Sequence, residues 1–358
     1  MRAVKIRDGG FELGEAPEPA ADGDQVVVRI RAAGLNAADL QQARGTYPAP
    51  PGWPDDIPGL EIAGVVEQPA RTASGWAAGD RVMAVVGGGA HAERIAVPAS
   101  LLVPIPDSFD DLRAAGFPEA FSTAWDGLVD QAGVRPGDRV LVTGAAGGVG
   151  TAMIQVAGLA GADVVASVHR AESHAAVRAL APDATVVTPD QEEENGPYDV
   201  VAELVGGKDC LRRVRWLKPY GRILVIGVGA GEEASLRLFD LMRVRGRVLG
   251  STIRARSTVE KAALATREKG CSARSRRVVS RSRWTAFIRW SRHRMLTSGW
   301  ARRGSSARSS CRWSDRPRRV SIVVGEGHAP PLIFFIVRWD VTRRTPGRPE
   351  SFRVWNSS

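Results

Sequence analysis

A chain of 358 residues, 44% hydrophobic and 25% charged, is long enough for two domains with buried cores, and this composition excludes a wholly disordered protein. The net charge of +10 is unevenly spread: positions 1–270 carry 29 Lys+Arg against 35 Asp+Glu, a net of −6, whereas positions 271–358 carry 20 arginines, no lysine and four acids, a net of +16. Of the three cysteines only Cys210 precedes position 270, which argues against a disulfide framework and leaves no Cys/His cluster with zinc spacing.

The opening MRAVKIRDGGFEL lacks an apolar leader core, and the longest late apolar run, Pro331 to Val337, is too short to span a bilayer. A cytoplasmic protein without membrane contact is expected. Alternating segments come first: VVVRIRAAGL, EIAGVVE, RVMAVVG and ERIAVP, separated by Gly, Pro and Asp clusters. They predict a mostly β domain over residues 1–122. From about Thr123 the pattern becomes DRVLVTG, TAMIQVAGLAGA, ADVVASV, ESHAAVRALA, DVVAELVGG, GRILVIGVG and RVLGSTI. That strand-helix alternation predicts a doubly wound parallel sheet over 123–265, so the fold class is α/β.

The first strand of this alternation meets its helix in VTGAAGGVGTAMIQVA. Set against G-x-G-x-x-G, the loop from Gly144 through Ala145, Ala146, Gly147, Gly148 and Val149 to Gly150 places Ala145 in the first slot and Gly147 and Gly150 in the second and third. Gly147 leaves room for a pyrophosphate, Gly150 lets helix and strand approach, and the amides and dipole at the helix start favour phosphate charge. The second strand ends Ala166-Ser167-Val168-His169-Arg170 with no acid before Glu172, where an NAD enzyme usually holds the ribose 2′-hydroxyl. A guanidinium at Arg170 with Ser167 and His169 beside it suits a 2′-phosphate, which makes NADPH the expected cofactor.

These residues resemble the zinc-independent quinone oxidoreductase branch of the medium-chain dehydrogenase/reductase superfamily. GLNAADLQQARGTYPAPPGWPDDIPGLEIAGVVE is similar to that branch's stretch around its substrate cleft, and GGGAHAERIAVPAS, PEAFSTAW, VRPGDRVLVTGAAGGVG, LKPYGRILVIGVG and VLGSTIRARSTVEKAAL follow in the family's order. Zinc-dependent relatives carry a cysteine ligand near the position of Asn36 and a histidine beside the glutamate matching Glu61. Here Leu60 precedes Glu61 and no cysteine is near, in keeping with the metal-free branch.

The resemblance implies a GroES-like catalytic domain, a Rossmann domain, and hydride transfer from NADPH to a quinone or conjugated enone, with an enoyl-thioester reductase as the related alternative. It implies a homodimer through the strand Arg247 to Ser251. Asn36, Asp39 and Tyr47 are the polar candidates in the cleft, Asp39 being equally suited to capping a helix. Thr123, Val205 and Gly227 match family positions lining the nicotinamide and its ribose. His91 and Cys210 are expected to pack, and Glu192, Glu193 and Glu194 to form a solvated surface run.

After Lys269 the resemblance stops. Six of the ten tryptophans fall in the tail, and through Arg319 it shows no helical or strand period, so the segment 266–358 is expected to be irregular. One account is a basic arm for nucleic acid with tryptophans for stacking. The favoured account is the family's C-terminus read out of frame: shifting the codons of Trp284–Ser291 permits D-G-V-H-P-L-E, and shifting Ser306–Arg312 permits G-K-V-V-L-P, both like segments near relatives' ends. On that account nucleic acid is not an expected partner, and the catalytic domain loses its returning strand and exposes a sheet edge.

Overall fold

The computed structural model describes residues 1–72, 75–265, 320–324 and 335–339. Strands β1 (Arg2–Arg7) and β2 (Gly10–Glu15) form an antiparallel hairpin turning on Asp8 and Gly9, both with positive φ. There follow β3 (Gln25–Gly34), helix α1 (Ala37–Ala43), β4 (Glu61–Gln68), β5 (Arg81–Val85), β6 (Arg94–Pro98) and the two-residue β7 (Val103–Pro104). β3 is apolar nearly throughout because its sheet is covered on both sides. Val26, Val28 and Ile30 pack with Ile62, Val82 and Val97, whereas Ala32, Ala63 and Met83 join a second cluster shared with the parallel sheet.

Helices α2 (Asp111–Ala115) and α3 (Pro118–Trp125) lead into that sheet. Its elements are β8 (Arg139–Val142), α4 (Gly148–Leu159), β9 (Asp163–Ser167), α5 (His174–Leu180), β10 (Thr185–Val187), β11 (Tyr198–Glu203), β12 (Leu217–Val225), α6 (Leu238–Val244) and β13 (Arg247–Gly250). The six strands are parallel in the order β10-β9-β8-β11-β12-β13, so the order reverses between β8 and β11, the place where open α/β sheets take ligands. Successive residues face opposite layers: Val140, Val142, Val200 and Ala202 look toward α3 and α4, and Leu141 and Val201 toward Tyr198, Val214 and Leu217. The GroES-like and Rossmann expectations hold, and one continuous core joins the two sheets.

The tail corrects two expectations. Within the segment expected to be irregular, β14 (Val320–Val324) and β15 (Phe335–Trp339) are strands, paired antiparallel. β15 also pairs antiparallel with β3, Ile336 opposite Gly34 and Arg338 opposite Ala32, so the edge expected to lie bare there is covered. The stretches Trp284–Ser291 and Ser306–Arg312, which carry the out-of-frame reading, lie outside the described residues. Glu192 is a third correction: it is fully buried beside exposed Glu193 and Glu194, because Arg213 reaches it from the turn Cys210–Trp216. Among the described residues no helix is long and apolar enough to cross a membrane.

Candidate functional site

At the reversal point, β8 ends at Val142 and the chain turns through Thr143 and Gly144, whose φ of 58° suits glycine, into α4. A Cβ on Gly150 would lie 2.3 Å from the Gly144 carbonyl oxygen and 2.8 Å from Ala145 Cα, so the helix meets its loop only through glycine. Gly147 is the N-cap and no side chain bonds there; the helix starts at exposed Gly147 and Gly148, and the amides of its first turn have no partner within the helix. The Ala145 amide is committed to the Ser167 carbonyl at 3.0 Å and the Gly147 amide to the Gly144 carbonyl at 2.9 Å, so the first-turn amides of Gly148 and Val149 are the donors offered to an anion. This uncapped start of a twelve-residue helix fits a diphosphate.

Along the crevice, Gly227 allows the segment leaving β12 to pass close to the one leaving β11: a Cβ there would lie 2.1 Å from the Leu204 carbonyl oxygen. Val205 is exposed beside it. On the other side, His169 and Arg170 are exposed just past β9, while Ser167 is buried and its hydroxyl donates to Glu192 Oε1 at 2.6 Å. Ser167 therefore turns its hydroxyl into the protein, and Arg170 and His169 are the members of that group on the surface.

The cleft residues meet beside the antiparallel sheet. Asp39, buried in α1, accepts the Asn36 amide at 2.7 Å and the Gly59 amide at 3.0 Å, fixing the helix start. Asn36 Nδ2 donates to Glu61 Oε1 at 3.1 Å, and the Glu119 amide donates to Glu61 Oε2 at 2.9 Å. Gly34 is what admits Glu61, since a Cβ there would lie 2.1 Å from Glu61 Oε1. His91 packs under this group, its Nε2 3.0 Å from the Gly34 carbonyl oxygen. Thr123, buried on α3, donates to Glu119 Oε1 at 3.2 Å. Burial pushes the Glu61 carboxyl up to about 8, with the Glu119 charge adding to it, and burial lifts Glu119 to about 7. Asp39 is raised by burial as well.

Tyr47 is half-buried, with its hydroxyl 2.8 Å from Thr252 Oγ1 and its ring 4.9 Å from the Arg254 guanidinium. Arg254 is buried on neutral acceptors: the carbonyl oxygens of Gly87 (3.1 Å) and Tyr47 (2.7 Å) and Gln42 Oε1 (2.5 Å). Ser251 and Arg256 both bond Asp126, so the segment leaving β13 ties the two sheets together at the cleft. Glu61, Glu119 and Arg254 were not singled out as site residues from sequence. Each acts through a partner at least 58 positions away, and no local spacing reports that.

A parallel sheet with an open glycine turn at its reversal point, set against an antiparallel sheet with a polar cleft, defines a dinucleotide-dependent oxidoreductase. Residues 22–107 match the family described as "Alcohol dehydrogenase GroES-like domain" and residues 148–268 that described as "Zinc-binding dehydrogenase". The quinone oxidoreductase of Thermus thermophilus, solved also in complex with NADPH, is 36% identical with a TM-score of 0.64, covering 75% of this chain and 86% of that one. The chain belongs to the medium-chain dehydrogenase/reductase superfamily, in its quinone oxidoreductase branch.

Other relatives include "Quinone oxidoreductase-like protein 2 homolog" of Nematostella vectensis, 34% identical over 58% of this chain and 59% of its own length. "Spectinabilin polyketide synthase system protein NorB" of Streptomyces orinoci is 36% identical over 64% of this chain, which spans only 11% of it. The CurK enoyl reductase structure, at 20% identity and a TM-score of 0.66, shares the fold.

Proposed function

We propose that this chain is an NADPH-dependent reductase that delivers hydride to a quinone or a conjugated enone without zinc, its catalytic part being residues 1–122 and its cofactor part 123–265. The observation that carries the reading is the uncapped, glycine-lined start of α4 followed, past the end of β9, by exposed Arg170. Glu192, the acid at the β9 end, is buried with both carboxyl oxygens engaged, so it does not compete for a ribose hydroxyl. The Gly148 and Val149 amides would hold the diphosphate and Arg170 with His169 the 2′-phosphate.

When bound, nicotinamide supplies the hydride. Tyr47 provides the polar wall: its hydroxyl shares a hydrogen bond with Thr252 Oγ1 in which either can donate, and in the arrangement where Thr252 donates, the Tyr47 proton meets an acceptor oxygen as that oxygen gains negative charge. Asn36 and Asp39 hold the start of α1, and Asn36 bonds Glu61 where zinc-dependent relatives place metal ligands, which supports a metal-free cleft. Thr123, Val205 and Gly227 line the inner end of the crevice. We take the unit to be a homodimer through β13, the outer strand of the parallel sheet, and its site to be cytoplasmic.

Polyketide synthase relatives favour a second reading, an enoyl-thioester reductase. Separate fluorescence titrations with NADPH and NADH, followed by turnover on a benzoquinone, an enone and a crotonyl thioester, test both. Tighter NADPH binding that Arg170→Ala reduces supports the cofactor assignment; equal affinities overturn it. Faster turnover of the thioester than of the quinone selects the second reading.

A further inference from the structure

Thr143, Ser167 and Glu203 continue the rows Leu141, Val165 and Val201 and so point to the face away from α4, at the ends of β8, β9 and β11. A single guanidinium lies across them. Glu203 Oε1 accepts the Thr143 hydroxyl (3.1 Å) and the amides of Val205 (2.8 Å) and Gly206 (2.9 Å). The Thr143 hydroxyl oxygen in turn accepts the Leu204 amide at 2.9 Å. Glu203 Oε2 accepts Arg213 Nη1 at 2.8 Å, Arg213 Nε donates to Glu192 Oε2 at 2.7 Å, and Ser167 donates to Glu192 Oε1 at 2.6 Å. Both carboxyl groups are 0% exposed. The Ser167 carbonyl then receives the Ala145 amide of the glycine loop.

The chain of bonds runs from the turn Leu204–Gly207, past the glycine loop, to the strand end before His169 and Arg170. It therefore underlies both ends of the crevice. Buried ion pairs are weak contributors to stability compared with apolar packing of the same volume, so their placement beneath a binding crevice calls for a geometric reason. A planar guanidinium bridging two carboxyl groups fixes distance and orientation together, as an ammonium does not.

We propose that Arg213 is a positioning residue for the dinucleotide, holding the turn Leu204–Gly207 and the end of β9 in one fixed relation so that both halves of the cofactor meet backbone already in place. The proposal rests on the reading that this crevice takes a nicotinamide dinucleotide.

Ser167→Ala removes the link from Glu192 to the end of β9 and leaves the charges paired, and Arg213→Lys keeps the charge without the bridge. NADPH affinity is measured by fluorescence, with near-ultraviolet circular dichroism reporting the fold. Arg213→Lys is expected to weaken NADPH about tenfold, and Ser167→Ala about threefold or more. The double variant Ser167→Ala/Arg213→Lys is expected to lose less than the product of the two singles, because either change separates the end of β9 from the turn Leu204–Gly207; a merely structural role at two separate places gives the full product. Folded variants that bind NADPH like the wild type, or a double variant showing the full product, overturn the proposal. Should Arg213→Lys not fold, Ser167→Ala alone decides it, unchanged NADPH affinity in that folded variant overturning the proposal. Wild-type chain that binds neither NADPH nor NADH overturns the cofactor reading itself and this inference with it.

Discussion

Glu61→Gln addresses the buried acids of the cleft. Folded Glu61 keeps its proton up to about 8, whereas in the unfolded chain the carboxyl ionises near 4.5. Between those values the folded state binds more protons than the unfolded one, so the stability this group contributes is complete below 4.5 and is lost as pH rises toward 8. One group in such a window changes stability by about 1.4 kcal/mol per pH unit. From pH 5 to pH 7, Glu61 alone therefore accounts for a fall of about 3 kcal/mol. Glu119, raised to about 7, and Asp39, also raised, act with the same sign and remain in the variant. Glutamine has the same shape and does not titrate; its amide faces one of the two donors that now meet Glu61, and rotation of the Asn36 amide supplies the acceptor. Urea unfolding at pH 5, 6, 7 and 8 is the assay. The decline between pH 5 and pH 7 should be shallower in Glu61→Gln by about 3 kcal/mol. Parallel curves for variant and wild type would refute a proton held on buried Glu61.

Gly150→Ala drives a methyl against the Gly144 carbonyl and Ala145 backbone, and NADPH affinity measured by titration should fall at least about tenfold while the rest of the tertiary signal persists. Lys261 lies among Val85, Leu101, Val103 and Leu264, and burial lowers its amine to about 8. The unfolded chain keeps that proton to 10.5, so stability should rise between pH 8 and pH 10.5, and Lys261→Met should abolish the rise in melting temperature across that interval. Truncation after residue 319 removes the partner of Ala32–Gly34 and should lower the melting temperature and promote self-association seen by light scattering.

The strands were legible wherever burial is repeated along one segment. Val26–Ile30 and Val140–Val142 announce themselves because every other residue meets a core face and the sheet is covered on both sides. The glycine loop was legible because close approach leaves a local mark: Gly150 had to be glycine, and its spacing from Gly147 said so. Glu192 was illegible for the opposite reason. Three consecutive glutamates read as a solvated run, and only the guanidinium 21 positions on turns the first of them inward. Arg254 is a sharper case, since its acceptors at Gln42 and Tyr47 lie 212 and 207 positions away and nothing near it in sequence implies burial of a charge.

The tail shows how averaging over a composition hides short elements. Arginine and serine dominate positions 271–358 as a whole, yet VSIVV and FIVRW are each rich in β-branched or aromatic residues. Pairing with a sheet edge is made by backbone amides and carbonyls, which every non-proline residue carries, so it asks for a short extended segment rather than for a family's sequence. Gly34 opposite Ile336 is where this matters most, because the same glycine admits Glu61 and accepts His91. The strand at that edge thus bears on the geometry of the cleft through backbone alone: the carbonyls and amides of Ala32–Gly34 set where β3 ends, and where β3 ends sets how Asn36 reaches Glu61.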